Sequence, residues 1–205
     1  MSPAFTLYGA RGSTNTDRVR LTLAEGGFTN YELVLVDLSP VVMFSDRFTL
    51  YESRAICKYL ASKYSLPLLP QGPDAEAAAL FDQAQSEEML YFADPAGKIA
   101  FEKFVKKFMG LPADKAVVLG ALRSLEAFFD VHAERVLQQR DYMAGNDFTL
   151  IDIYYIPLIQ RLFACGYGDV ILRRKAVAAN QCSASWLDRF MDKPYIESVL
   201  LSTPA

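Results

Sequence analysis

Ser13 follows two glycines, Gly9 and Gly12, where a short aromatic stretch gives way to a helical pattern. The glycines let the backbone turn tightly and approach a ligand, and the first turn of the helix offers unbonded N–H groups and a positive dipole end. An anion is stabilised at such a turn, and a thiolate is an anion. A serine hydroxyl there can donate a hydrogen bond to the charged form. The plainer use is a helix cap, because Ser13 or Thr14 suits that role and Thr14-x-x-Asp17 has the shape of a capping box.

A second candidate is Tyr51-Glu52-Ser53-Arg54 at the start of a later helix. Ser53 and the neighbouring N–H groups suit a carboxylate, and Glu52 beside them suits an ammonium. The α-amino acid end of a ligand carries both charges close together. Taken alone, Glu-Ser at a helix start is more often a cap. In 145–153, Thr149 can cap a helix while Asp152 reaches back, with Phe148 and Ile153 placed as a hydrophobic staple. That segment reads as fold stability, not catalysis.

The single histidine, His132, lies within a strong helical pattern and reads as a packed or surface residue. A hydrolytic triad or a histidine-ligated metal is therefore disfavoured. Cys57, Cys165 and Cys182 are too widely spaced for a disulfide framework or a zinc pattern, and fit a reducing, cytoplasmic setting. Cys57, inside a helix, reads as a buried structural thiol.

The elements that position these residues follow from periodicity. Ala4 to Tyr8 reads as a strand ending at Gly9, and a helix from Thr14 carries Val19, Leu23 and Ala24 on one face and stops at Gly26-Gly27. Tyr31 to Val36 is a nearly continuous apolar strand, as expected when both faces are covered. Strand, helix and strand form a βαβ unit with two parallel strands. Val41 to Phe44 and Phe48 to Leu50 read as a hairpin, followed by a helix over Glu52 to Tyr64 with Ile56, Tyr59, Leu60 and Lys63 on one side. Pro67, Pro70, Gly72 and Pro73 mark a linker. Beyond it the pattern is helical. Phe101, Phe104, Val105 and Phe108 share a face, Gly110-Leu111-Pro112 ends that run, and Val118, Leu122, Leu125, Phe129 and Val136 form another. Further helices begin near Thr149 and Ala184. The expected organisation is an α/β domain over 1–64, a linker over 65–73 and an all-α domain over 74–205.

Composition sets the outer bounds. The 205 residues carry 21 Lys and Arg against 24 Asp and Glu, a net charge of −3, which argues against a nucleic-acid partner. No apolar run reaches the roughly 18 residues of a membrane span, and the start lacks the basic and apolar parts of a secretory signal.

Together the segments resemble the cytosolic glutathione S-transferase family, nearest to its serine-type, phi-like plant and fungal members. The resemblance rests on Ser13-Thr14-Asn15-x-x-Arg18-Val19, Tyr31-Glu-Leu-Val34 with Val36-Asp37-Leu38, Phe48-Thr-Leu-Tyr-Glu-Ser-Arg-Ala-Ile56 and Tyr142-Met-Ala-Gly-Asn-Asp-Phe-Thr-Leu-Ile-Asp152. It implies a thioredoxin-like N-terminal domain followed by an all-helical C-terminal domain. It further implies glutathione as co-substrate with no metal, and transfer to small hydrophobic electrophiles, admitting hydroperoxide reduction. Ser13 would stabilise the glutathione thiolate, Glu52 and Ser53 would hold the γ-glutamyl end, and Pro40 resembles the family's cis-proline beside the cysteinyl part. The protein would be a cytoplasmic homodimer serving detoxification, with Tyr91, Phe92 and Pro95 near an apolar second site. Tyr8 competes with Ser13, since other classes use a tyrosine at the end of the first strand; in the aligned register that place falls on Leu7. The alternative is a non-catalytic, transferase-like binding or dimerisation module.

One feature departs from the family pattern. The family has a helix-containing segment before its third strand, whereas here Ser39 runs directly into Pro40-Val41-Val42. Strand ends two spacings apart are separated by roughly 10 Å, and residues 37–40 reach about 13 Å when extended. The connection is long enough. Either the helix has been lost, with activity in doubt, or these residues skip a segment.

Overall fold

The computed structural model describes residues 2–37, 41–45 and 48–172. The described residues divide between Gly72 and Pro73 into two compact units.

The first unit is built on a four-stranded sheet in the order β2-β1-β3-β4. Strand β1 (Thr6–Gly9) leads into α1 (Thr14–Glu25), which ends at Gly26 as its spacing predicts. Strand β2 (Glu32–Leu35) pairs parallel to β1, as a βαβ unit requires. Strands β3 (Val42–Ser45) and β4 (Phe48–Tyr51) form the expected antiparallel hairpin, and α2 (Ser53–Lys63) follows. Leu7, Val19, Leu23, Met43, Ile56 and Leu60 fill the core with at most 1% of their surface exposed. One expectation fails: β2 is an edge strand of half-exposed residues, with Leu35 46% exposed. A continuous apolar run shows only that both faces tolerate burial.

Strand β3 runs antiparallel to β1, with Tyr8 opposite Val42, while Leu35 at the end of β2 lies opposite Gly9. The connection between β2 and β3 therefore leaves and re-enters the sheet at the same end of β1, which is why so few residues suffice.

The second unit is helical among its described residues. A long helical run over 75–108 comprises α3 (Ala75–Glu87), a π-helical stretch (Glu88–Ala93), α4 (Asp94–Ala100), a second π-helical stretch (Phe101–Val105) and the short α5 (Lys106–Phe108). Gly110 takes a positive φ of 68° at its end, and α6 (Lys115–Arg135) starts from the Asp114 cap. Helices α7 (Leu150–Ala164) and α8 (Asp169–Leu172) follow. The helix expected near Ala184 and Cys182 lie outside the described residues.

The core of this unit centres on Phe92, whose ring lies 4.6 Å from Tyr155 and 5.9 Å from both Phe128 and Phe129. Expected near a substrate pocket, Phe92 is instead fully buried. Its neighbours Leu90, Tyr91 and Pro95 line a cavity of about 360 Å³ against α6. The stripe of Phe101, Val105 and Phe108 is exposed at 47%, 39% and 68%. Helical spacing shows that residues share a side; it does not supply a neighbour to cover them.

Candidate functional site

The turn between β1 and α1 is tied down by its own residues. The Thr16 hydroxyl accepts the Ala10 N–H at 3.1 Å, and the Ala10 carbonyl accepts the Ser13 N–H at 3.2 Å. Gly9 has no room for a side chain: an added Cβ would sit 2.5 Å from Thr16 Cγ2. Gly12 turns the chain with a φ of 70°. Ser13 is then the N-cap of α1, its Oγ accepting the Thr16 N–H at 3.5 Å. The cap is therefore Ser13 and not Thr14, and Asp17 lies 3.8 Å from Arg20 instead of closing a box.

Capping does not exhaust the serine. Its oxygen accepts through a lone pair, which leaves its O–H able to donate, and among the described residues no acceptor takes that proton. Ser13 is half-buried, so an incoming group can reach it. Tyr8 on β1 is 37% exposed, whereas Leu7, where other classes carry their tyrosine, is fully buried.

The start of α2 is the second half of the site. Glu52 adopts φ 70° and ψ 107°, outside the regions open to L-residues at little cost. Its exposed side chain makes no capping bond. Ser53 points inward and is 4% exposed. Its Oγ accepts from Arg18 Nη1 at 2.7 Å and donates to Asn15 Oδ1 at 3.3 Å, and the same Arg18 nitrogen donates to Asn15 Oδ1 at 2.8 Å. The structure thus links the first turns of α1 and α2 through buried side chains. Pro40 lies outside the described residues.

Neither of the two described thiols is poised as a thiolate. Cys57 in α2 is fully buried, and burial raises its pKa from 9.0 to about 11 despite a hydrogen bond with Thr22 and the charges of Arg18 and Arg54. Cys165 is also raised, chiefly by burial. His132 is packed in the helical unit, its Nε2 3.0 Å from Glu87 Oε2 and its ring stacked on Phe128. No group of three acidic, histidine or cysteine side chains able to hold a metal is found among the described residues, and no helix there is long and apolar enough to cross a membrane.

Residues 92–194 match the family model for the C-terminal domain of glutathione S-transferase. Glutathione S-transferase F6 of Arabidopsis thaliana is 30% identical over 215 residues, covering 95% of this chain and 98% of that protein. The chain belongs to the glutathione S-transferase family. A second transferase, hmp2 of Hypomyces subiculosus, is 34% identical over 181 residues, covering 78% of this chain and 84% of its own. Among solved structures, glutathione S-transferase I bound with lactoylglutathione superposes with a TM-score of 0.86 at 27% identity, covering 98% of this chain and all of that one. The 215 positions aligned with the Arabidopsis transferase exceed the 205 residues of this chain. The alignment therefore opens gaps in it.

Arg18 and Asn15 were legible only as parts of a motif, not as site residues. The available signal was position: Arg18 falls beside Val19 and one turn before Thr22, on the buried side of α1.

Proposed function

We propose that the chain is a serine-type, phi-like glutathione transferase in which Ser13 holds the thiolate of glutathione. Relatives that bear the transferase name favour conjugation over a non-catalytic binding module. Glutathione is the co-substrate, and the second substrate is a small hydrophobic electrophile. Glu52 and Ser53 hold the γ-glutamyl end, Pro40 stands by the cysteinyl part, and the functional protein is a cytoplasmic homodimer. Residues 1–64 form the glutathione-binding domain, 65–73 the linker and 74–205 the helical domain.

The observation that carries this reading is the open Ser13 hydroxyl at the N-terminus of α1. A free thiol with a pKa near about 8.5 is only a few per cent ionised at neutral pH. Lowering it by about two units requires about 2.7 kcal/mol of preference for the thiolate. One hydrogen bond to a charged group contributes about 1.5–3 kcal/mol, and a helix N-terminus about 0.3–1 kcal/mol. The turn is thus equal to the task without a histidine base. The activated sulfur attacks the electrophilic carbon, a C–S bond forms, and an aryl halide loses its halide.

The test is conjugation of glutathione to a chlorodinitrobenzene-type substrate. Ser13→Ala is expected to lower kcat/KM by about 100-fold with little change in glutathione binding, while Tyr8→Phe retains activity. Loss in Tyr8→Phe with none in Ser13→Ala would overturn the assignment.

A further inference from the structure

We propose that Arg18 is a positioning residue of the glutathione site, holding the turn that carries Ser13 against the strained turn at Glu52. The inference rests on the reading of these two turns as the glutathione site.

Arg18 is 1% exposed, and its guanidinium is committed inside the first unit through Nη1. One of its nitrogens serves both helix starts at once, Asn15 on α1 and Ser53 on α2, at 2.8 and 2.7 Å. Two consequences follow. Guanidinium only donates, so the Asn15 carboxamide must turn its oxygen inward and its NH2 group away, at an exposed position two residues from Ser13. Glu52 is the single residue between Tyr51, the last paired residue of β4, and Ser53, whose hydroxyl is locked. The chain must change direction within that residue, and its φ of 70° is the result. Strain of this kind persists only where the surroundings hold both ends. Pairing of Tyr51 with Val42 holds one end, and Arg18 holds the other.

Release of Arg18 therefore acts on glutathione and not on the electrophile. A misplacement of about 1 Å in a positioned group costs up to about 100-fold in rate. The positive charge behind two helix N-termini also favours anions at both turns, so lysine keeps both contributions in part and methionine keeps neither.

The experiment compares Arg18→Met and Arg18→Lys with the wild type in glutathione KM, electrophile KM, the pH profile of kcat/KM, and glutathione binding by fluorescence titration. Arg18→Met should raise glutathione KM and weaken binding by about tenfold or more, move the acidic limb of the pH profile upward, and leave the electrophile KM unchanged. Arg18→Lys, which keeps a donor and the charge, should recover most of the loss. If Arg18→Met is less stable but binds and turns over normally per folded molecule, Arg18 is merely structural and the proposal fails. Should Arg18→Met not fold, Asn15→Ala removes the acceptor that Arg18 holds on α1, and unchanged glutathione binding there would also overturn it. Failure of the underlying reading is visible separately, as a Ser13→Ala pH profile identical to that of the wild type.

Discussion

Helices α1 and α7 both begin on a hydroxyl cap backed by buried polar side chains, and the two starts have opposite character. At α7, Thr149 caps the helix while Asp152, with no exposed surface, accepts from the N–H of Met143, the N–H of Thr149 and the Thr149 hydroxyl at 2.9–3.2 Å. The serine at α1 caps just as Thr149 does, but among the described residues no acceptor takes its hydroxyl proton, and Asn15 at its exposed position uses only its carboxamide oxygen toward Arg18 and Ser53. A cap whose donors are consumed internally stabilises the fold. One that leaves them open at the surface has something to offer a ligand.

The largest effect is expected at the closed start. Asp152→Ala strands buried N–H groups and should cost about 3–5 kcal/mol in chemical denaturation, with glutathione KM unchanged for the protein that folds. A selective loss of glutathione binding there would erase the distinction between the two caps.

Cys57 sharpens the contrast from within the first unit. Its thiol has two arginines nearby and a hydrogen bond, yet burial outweighs them and the pKa rises to about 11. The unfolded chain ionises near 9.0, so the folded state keeps a proton that the unfolded state has lost. Stability is full below pH 9 and should fall as pH rises toward 11, by up to about 2.7 kcal/mol. Denaturation across that range checks this, with a flat profile in Cys57→Ala. The thiol should also resist disulfide reagents at pH 8 in the native protein. Favourable charges are therefore insufficient to make a thiolate; the sulfur must also remain accessible to donors and solvent, as at Ser13.

A smaller effect is expected from Gly9→Ala. The added methyl meets Thr16 and displaces the hydroxyl that holds the turn, costing about 1–3 kcal/mol of stability and a larger share of activity. Equal activity per folded molecule would mean that the turn need not be placed so closely.

Much of this was legible in the sequence because it is local. The Thr149–Asp152 box, the stop of α1 at Gly26-Gly27 and the β3–β4 hairpin each depend on residues a few positions apart. The start of α1 was harder, since Thr14-x-x-Asp17 and Ser13 fit the same turn and a one-residue difference in the helix start decides between them. Arg18 was illegible as a link, because its partner Ser53 is 35 residues away and an arginine in a helix ordinarily reads as a wet face. The expectation for β2 failed for the converse reason, since an apolar run cannot tell what lies opposite.

The most direct measurement is the pKa of glutathione bound to the protein, followed by the ultraviolet absorbance of the thiolate as pH is varied, in the wild type and in Ser13→Ala. The expected result is a bound thiol about two units below the free one in the wild type, rising by at least about one unit in the variant. An unshifted thiol in the wild type, or the same lowered value in both proteins, would contradict the role of the open cap at Ser13.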